Sequence, residues 1–193
     1  MIFFNRTLLN ITFLLFFIHI IILSWPCSLS AQQYQSDDGY AEFQSEVPLH
    51  SFTGKSNYLT GLIDFDQNLV DFYLDLSTLK TGNSRRDRDM LSVLNVDKFP
   101  FAEFTGSIIS EFDLQSEDKQ PVTVEGDFTL NGITVQRSID GTIEVRDESL
   151  LVEASWVLDI TDHQIEPPGI LFYRVRDEMD ISIEIELINE QNE

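Results

Sequence analysis

An all-β domain, a closed antiparallel barrel of about eight strands with one short helix across an end, is what this chain predicts. Three features carry the prediction. Apolar and polar residues alternate with period two in several separate stretches, the mark of strands with one dry and one wet face. Asn131-Gly132 sits directly between two such stretches, the strongest short-range hairpin signal. A single excursion from Leu76 to Gly106 exceeds the usual strand connection of about 2 to 5 residues, so it must fold on itself and cover something.

Residues 1–31 are set apart as a secretory signal. Arg6 is the only charge there, Leu8 to Leu23 is almost wholly apolar, and the small, polar Ser28-Leu29-Ser30-Ala31 follows. Two other readings stay open. The apolar run approaches the length of a spanning helix, which would make it an uncleaved anchor. Cys27 could take a lipid after cleavage, although bulky, rigid Trp25-Pro26 precedes it. Cleavage after Ala31 leaves 193 minus 31, or 162, residues without a cysteine and without stable membrane insertion. A chain of that size buries roughly 70% of its unfolded surface in one domain and needs no staples. The expected location is periplasmic or secreted.

Charge excludes some partners. The chain has 33 acidic and 12 basic residues, and Arg6 is the only charge lost with the signal, so about 22 negative charges remain. That field opposes nucleic acid and anionic lipid surfaces, both of which reward Lys and Arg clusters. No localised acidic run marks a docking face for a basic partner.

Residues 32–39 are polar and read as a flexible leader, and 40–189 as the barrel. Poorer strands fall near Ala41 to Val47, Ser56 to Ile63 and Phe101 to Phe112. Val70, Phe72, Leu74 and Leu76 share one face against Asp71, Tyr73, Asp75 and Ser77. Val122, Val124, Phe128 and Leu130 repeat this, and Ile133, Val135, Ile139, Ile143 and Val145 continue the apolar side, interrupted by Arg137. Val152, Ala154, Trp156, Leu158 and Ile160 follow, then Ile181, Ile183, Ile185 and Leu187. Closing the sheet removes the edges that such strands would offer for aggregation. Within the long excursion a helix is expected. Asn83 or Ser84 can cap it, Met90, Leu91, Val93 and Leu94 point inward, and Pro100 pushes Phe99 out of helical geometry.

The same excursion carries a resemblance. Ser77-Thr78-Leu79, Thr81-Gly82-Asn83, Arg86-Asp87, Met90-Leu91-Ser92, Phe99-Pro100, Phe104 and Gly106 together resemble the signature segment of the YceI-like family. Gly126, Phe128, Leu130, Gly132 and Thr134 resemble its later hairpin. The resemblance spans nearly all of the chain after the first thirty-odd residues. It implies a small exported lipocalin-like β-barrel, several members of which hold polyisoprenoid lipids inside. There are three departures. Asp89 and Asn131 stand where many members have histidine, and Asp159 to Gly169 replaces an Arg, aromatic, Gly-Ile pattern. Pro167-Pro168 forces an extended segment that reshapes the nearby barrel mouth, and a loop that closed the tunnel would remove the ligand assignment.

Eight strands put a barrel at the size where side chains fill it or leave room for one slender ligand. The residues alone leave both outcomes open, and the resemblance favours a tunnel. The expected lining is Phe72, Leu74, Phe104, Ile108, Phe128, Leu130, Trp156, Leu158 and Ile183, each of which also reads as ordinary core. The implied partner is an apolar small molecule or lipid of polyisoprenoid type, with no cofactor and no metal, and a homodimer is left open. The second reading is a packed acidic barrel acting through its surface in interaction or stress protection.

Catalysis finds little support. After the signal only His50 and His163 remain, both read as surface or loop residues, and there is no cysteine nucleophile. Arg85, Arg86 and Arg88 with Asp87 and Asp89 read as a solvated helix face with local ion pairs. The alternative for them is gating the mouth or meeting a lipid headgroup. Asp64, Asp66 and Asn68 resemble the start of a calcium loop, but Leu69 stands where its glycine belongs and Asp75 where a bidentate Glu is needed.

Overall fold

The alternating stretches pair as antiparallel neighbours around a ring. The computed structural model describes residues 32–47, 50–166, 169–170, 173–174 and 177–189. The signal expected over residues 1–31 lies outside the described residues. In chain order come β1 (Gln33–Val47), β2 (His50–Asp64), β3 (Leu69–Asp75), a 3-10 turn (Leu76–Thr78), α1 (Ser84–Val93), β4 (Phe101–Ile108), β5 (Gln120–Leu130), β6 (Ile133–Arg146) and β7 (Ser149–Asp159). A second 3-10 turn (Ile160–His163), a two-residue hairpin of β8 (Gly169–Ile170) and β9 (Tyr173–Arg174), and β10 (Glu178–Asn189) complete the chain. The barrel closes in the order β1-β10-β7-β6-β5-β4-β3-β2. Strand β1 therefore carries two ladders, with Tyr34 opposite Ile63 of β2 and Asn189 of β10.

Register follows from the alternation. Phe72, Phe104 and Phe128 stand opposite one another across β3, β4 and β5 and share the inner face, whereas Tyr73 and Phe101 are exposed. Val70, Leu74, Val122, Leu130, Ile139, Ile143, Val152 and Leu158 are buried on the same side. Between β5 and β6, Asn131 and Gly132 both adopt positive φ, 52° and 71°, as the two-residue hairpin turn requires.

Residues 33–39 differ from expectation: they form the first half of β1 rather than a flexible leader. Their alternation is broken by register shifts between Ser36 and Gly39 and between Gly39 and Ala41, which hides the strand from a period-two reading. Gly39 is needed here, because a Cβ would lie 2.6 Å from the Ile185 side chain. The pairing on both sides, not local propensity, makes this segment a strand.

The helix forms where expected. Asn83 is its N-cap, its side chain accepting from the Arg85 and Arg86 amides. It ends in a Schellman arrangement: Asn95 takes φ 54°, the Asn95 N–H reaches the Ser92 carbonyl, and the Val96 N–H reaches the Leu91 carbonyl. Met90, Val93 and Leu94 pack on the core at helical spacing, joined by Val96, whereas Leu91 is half-buried and off that stripe.

Candidate functional site: an apolar cavity inside the barrel

The barrel is hollow. A cavity of about 720 Å³ occupies its interior, within the range of small-molecule sites. All nine expected residues line it: Phe72, Leu74, Phe104, Ile108, Phe128, Leu130, Trp156, Leu158 and Ile183. At roughly 30 Å³ per water-sized group, the space takes on the order of twenty non-hydrogen atoms.

Glycines explain why the phenylalanines do not fill it. A Cβ at Gly61 would lie 2.6 Å from the Phe72 ring, one at Gly54 would lie 2.1 Å from the Phe43 ring, and one at Gly126 would lie 2.9 Å from the Phe104 ring. Each ring therefore rests on a bare stretch of a neighbouring strand. The rings lie back along the wall and leave the axis open. Sequence alternation puts the rings inside, but only this pairing of aromatic and glycine says that they stay at the side.

The two ends differ. At the end formed by the β2–β3 and β6–β7 turns, Leu150, Ile185 and Leu187 are buried and fill the interior. There Phe65 stacks on Phe112 at 5.6 Å and meets Tyr34 edge-on at 5.9 Å, an aromatic floor packed against the core. At the other end α1 supplies Met90, Val93 and Leu94 to the cavity wall, and the loop after β7 supplies Ile160 and Ile165. The described part of that departure, residues 159–166, thus adds Ile160 and Ile165 to the cavity wall, and Pro167-Pro168 lies outside the described residues.

Histidine 163 corrects a surface assignment, for it is fully buried. The 3-10 turn carries it under the β5–β6 hairpin, where Nδ1 donates to the Ile133 carbonyl at 2.9 Å and the ring meets Phe128 edge-to-face at 5.4 Å. Asn131 Nδ2 donates to the His163 carbonyl at 3.1 Å, which fastens this loop to the barrel rim. Arg137 does the same from β6, pairing with Asp162 at 2.5 Å. Phe128 also meets Trp156 edge-on at 6.3 Å, so one ring joins the cavity wall to the buried histidine. His50 begins β2, and its side chain lies outside the described residues. Among the described residues Asp64 is turned to local use, accepting from the Gln67 backbone and side-chain amides.

The arginine cluster divides. Arg85 fits the solvated reading, exposed at the outer edge of the mouth and 4.0 Å from an exposed Asp89. Arg86 does not: it is half-buried and lines the cavity. Its Nε donates to Thr81 Oγ1 at 2.9 Å, its Nη2 donates to the Thr81 carbonyl at 3.0 Å, and its guanidinium lies 5.0 Å from the centre of the Phe52 ring. Thr81 in turn donates its N–H and hydroxyl to Asp87, which holds the Asp87 carboxyl below the usual carboxylate range. Phe43 and Phe52, which meet edge-on at 6.0 Å and line the same mouth, had no distinguishing signal in the sequence.

Comparison with known proteins agrees with this architecture. The YceI-like domain matches residues 34–187. A polyisoprenoid binding domain from Saccharophagus degradans implicated in plant cell wall breakdown superimposes with a TM-score of 0.69 at 13% identity, covering 82% of this chain and 99% of that one. Burkholderia cenocepacia BcnA gives 0.65 at 13% identity, covering 77% and 95%. A Campylobacter jejuni YCEI protein gives 0.56 at 18% identity, covering 69% and 82%. At such identities these likenesses speak to fold. A search of curated protein sequences found no match. The sequence match spans the closed barrel from β1 to β10 and includes the covering helix, so the chain belongs to the YceI-like domain family.

Proposed function

We propose that this protein is an exported, non-enzymatic carrier or reservoir that holds one long apolar chain, of polyisoprenoid or similar lipid type, inside its barrel. The observation that carries the reading is the cavity of about 720 Å³, whose wall is predominantly apolar and whose helix end carries the charged Glu42, Arg85, Arg86 and Asp89. A chain entering it gains roughly 0.8 kcal/mol per buried CH₂. Ten carbons therefore supply about 8 kcal/mol before ordering costs, enough for binding without a polar handle. The solved Saccharophagus domain, described as polyisoprenoid binding, supports the ligand class. The apolar leader of residues 1–31 supports export to a periplasm or the exterior. A packed barrel acting through its acidic surface is the rival, and the hollow interior weighs against it.

The test is native mass spectrometry of the protein purified from its own host, with extraction of whatever co-purifies. A stoichiometric apolar adduct of discrete mass is expected. A clean ligand-free mass, together with no uptake of added isoprenoid lipids, would sink the carrier reading. Ile183→Trp, which places an indole across the cavity, is expected to block uptake while leaving the circular dichroism of the barrel intact.

A further inference from the structure

We infer that the chain held in the cavity ends in an oxyanion, a carboxylate or a phosphate, and that Arg86 at the mouth receives it. This rests on the carrier reading and adds the chemistry of the ligand's head. Arg86 lines the cavity at the end roofed by α1, beside Phe52 and Asn83. It is half-buried, so part of its hydration is already lost.

Three carboxylates around this lip are engaged elsewhere, and a fourth, Glu103 of β4, is exposed. Asp87 takes the N–H and hydroxyl of Thr81. Asp89 lies 4.0 Å from Arg85, and Glu42 pairs with Lys55 at 3.0 Å while accepting from Tyr40. Among the described residues Arg86 makes no ion pair. Asp87 tempers its charge through Thr81 but does not cap the guanidinium.

The arginine is also preorganised. Two of its five N–H donors hold Thr81, and the Phe52 ring fixes the plane, which leaves three N–H donors for a ligand. A planar guanidinium in fixed orientation suits a two-oxygen anion far better than a hydroxyl. The net charge of −21 on the chain opposes an approaching anion. That repulsion is screened beyond about 8–10 Å in physiological salt, whereas a contact at the half-buried guanidinium is not. Long-range charge therefore slows arrival of the ligand, and the local contact sets its retention.

Four ligands separate the possibilities in displacement of a fluorescent apolar probe from the host-purified, delipidated protein: hexadecanoate, hexadecan-1-ol, farnesyl monophosphate and farnesol. Each anion is expected to bind roughly tenfold or more tightly than its matching alcohol, a gap that narrows in high salt. Arg86→Gln brings the anion-to-alcohol ratio toward one, Arg86→Lys restores part of it, and the exposed Arg88→Gln, on the same helix but away from the cavity, leaves it unchanged. A preference confined to one pair identifies which oxyanion the site takes. Alcohols that bind as tightly as the anions overturn this inference and leave the carrier reading standing. Failure of all four to displace the probe overturns both.

Discussion

Gly106 of β4 stands directly opposite Gly126 of β5, and neither position has room for a Cβ. At Gly106 the added atom would lie 2.4 Å from the Glu125 carbonyl oxygen, and at Gly126 it would lie 2.4 Å from the Thr105 carbonyl oxygen. The obstacle is backbone in both cases, so no rotamer change relieves it. Gly106→Ala and Gly126→Ala are each expected to cost about 1–3 kcal/mol, which lowers the melting temperature by several degrees in a chain of this size. Thermal unfolding followed by circular dichroism reads this directly, and an unchanged midpoint would contradict the close approach.

Gly61 tests a different consequence, because its would-be Cβ meets a side chain rather than backbone. Gly61→Ala pushes the Phe72 ring, 2.6 Å away, off the wall and toward the barrel axis. The expected result is a folded protein whose uptake of an apolar probe falls severalfold. Equal uptake by the variant and the parent would show that Phe72 has another place to go.

His163 joins the loop after β7 to the barrel through the Ile133 carbonyl and the Phe128 ring. His163→Ala removes both contacts and opens a hole at a fully buried site, for an expected loss of about 2–4 kcal/mol. His163→Phe keeps the ring but leaves the carbonyl without its donor, so it recovers only part of that loss. Denaturant midpoints of the two variants separate packing from hydrogen bonding.

Acid should loosen the mouth at named carboxylates. Asp87 is held below its ordinary pKa chiefly by the Thr81 hydroxyl and then by the Thr81 amide, and Asp159 likewise by Thr161. A group depressed in the folded state binds its proton more readily when unfolded. Its contribution is therefore present above the unfolded value of about 3.9 and is lost as pH falls through the folded value. Asp87→Asn is expected to lower stability at neutral pH, with the difference from the parent shrinking below about pH 4. A difference that stays constant across that range would assign the effect to something other than the carboxylate.

The barrel was readable because its strands obey one rule repeatedly: Val70 to Leu76, Val122 to Leu130 and Ile181 to Leu187 each place apolar groups at alternate positions, and those positions are the ones facing inward. The nine cavity residues were readable for the same reason. What alternation does not encode is where a ring rests once inside. That depends on which glycine the register sets beside it, as with Phe72 on Gly61, and register is a property of two strands. The first half of β1 was hidden because its bulges break the period, and the burial of His163 because a 3-10 turn carries no periodic mark. Arg86 was marked only as part of the family pattern with Asp87, and nothing in the charged run set its burial apart from that of Arg85. Both border the mouth, and their angular positions on α1 leave Arg86 half-buried and Arg85 exposed.

The double ladder of β1 has a kinetic consequence. Tyr34 pairs with Asn189, so the seam of the barrel joins residues more than 150 positions apart. At about 5–20 residues per second, synthesis separates those two partners by on the order of ten to thirty seconds. Throughout that interval one edge of β1 has no mate, and such a long-range closure is intrinsically slow even afterwards. The nascent chain is thus kept from locking into its final form until its last strand emerges, which leaves it threadable through a narrow pore for as long as it is being made.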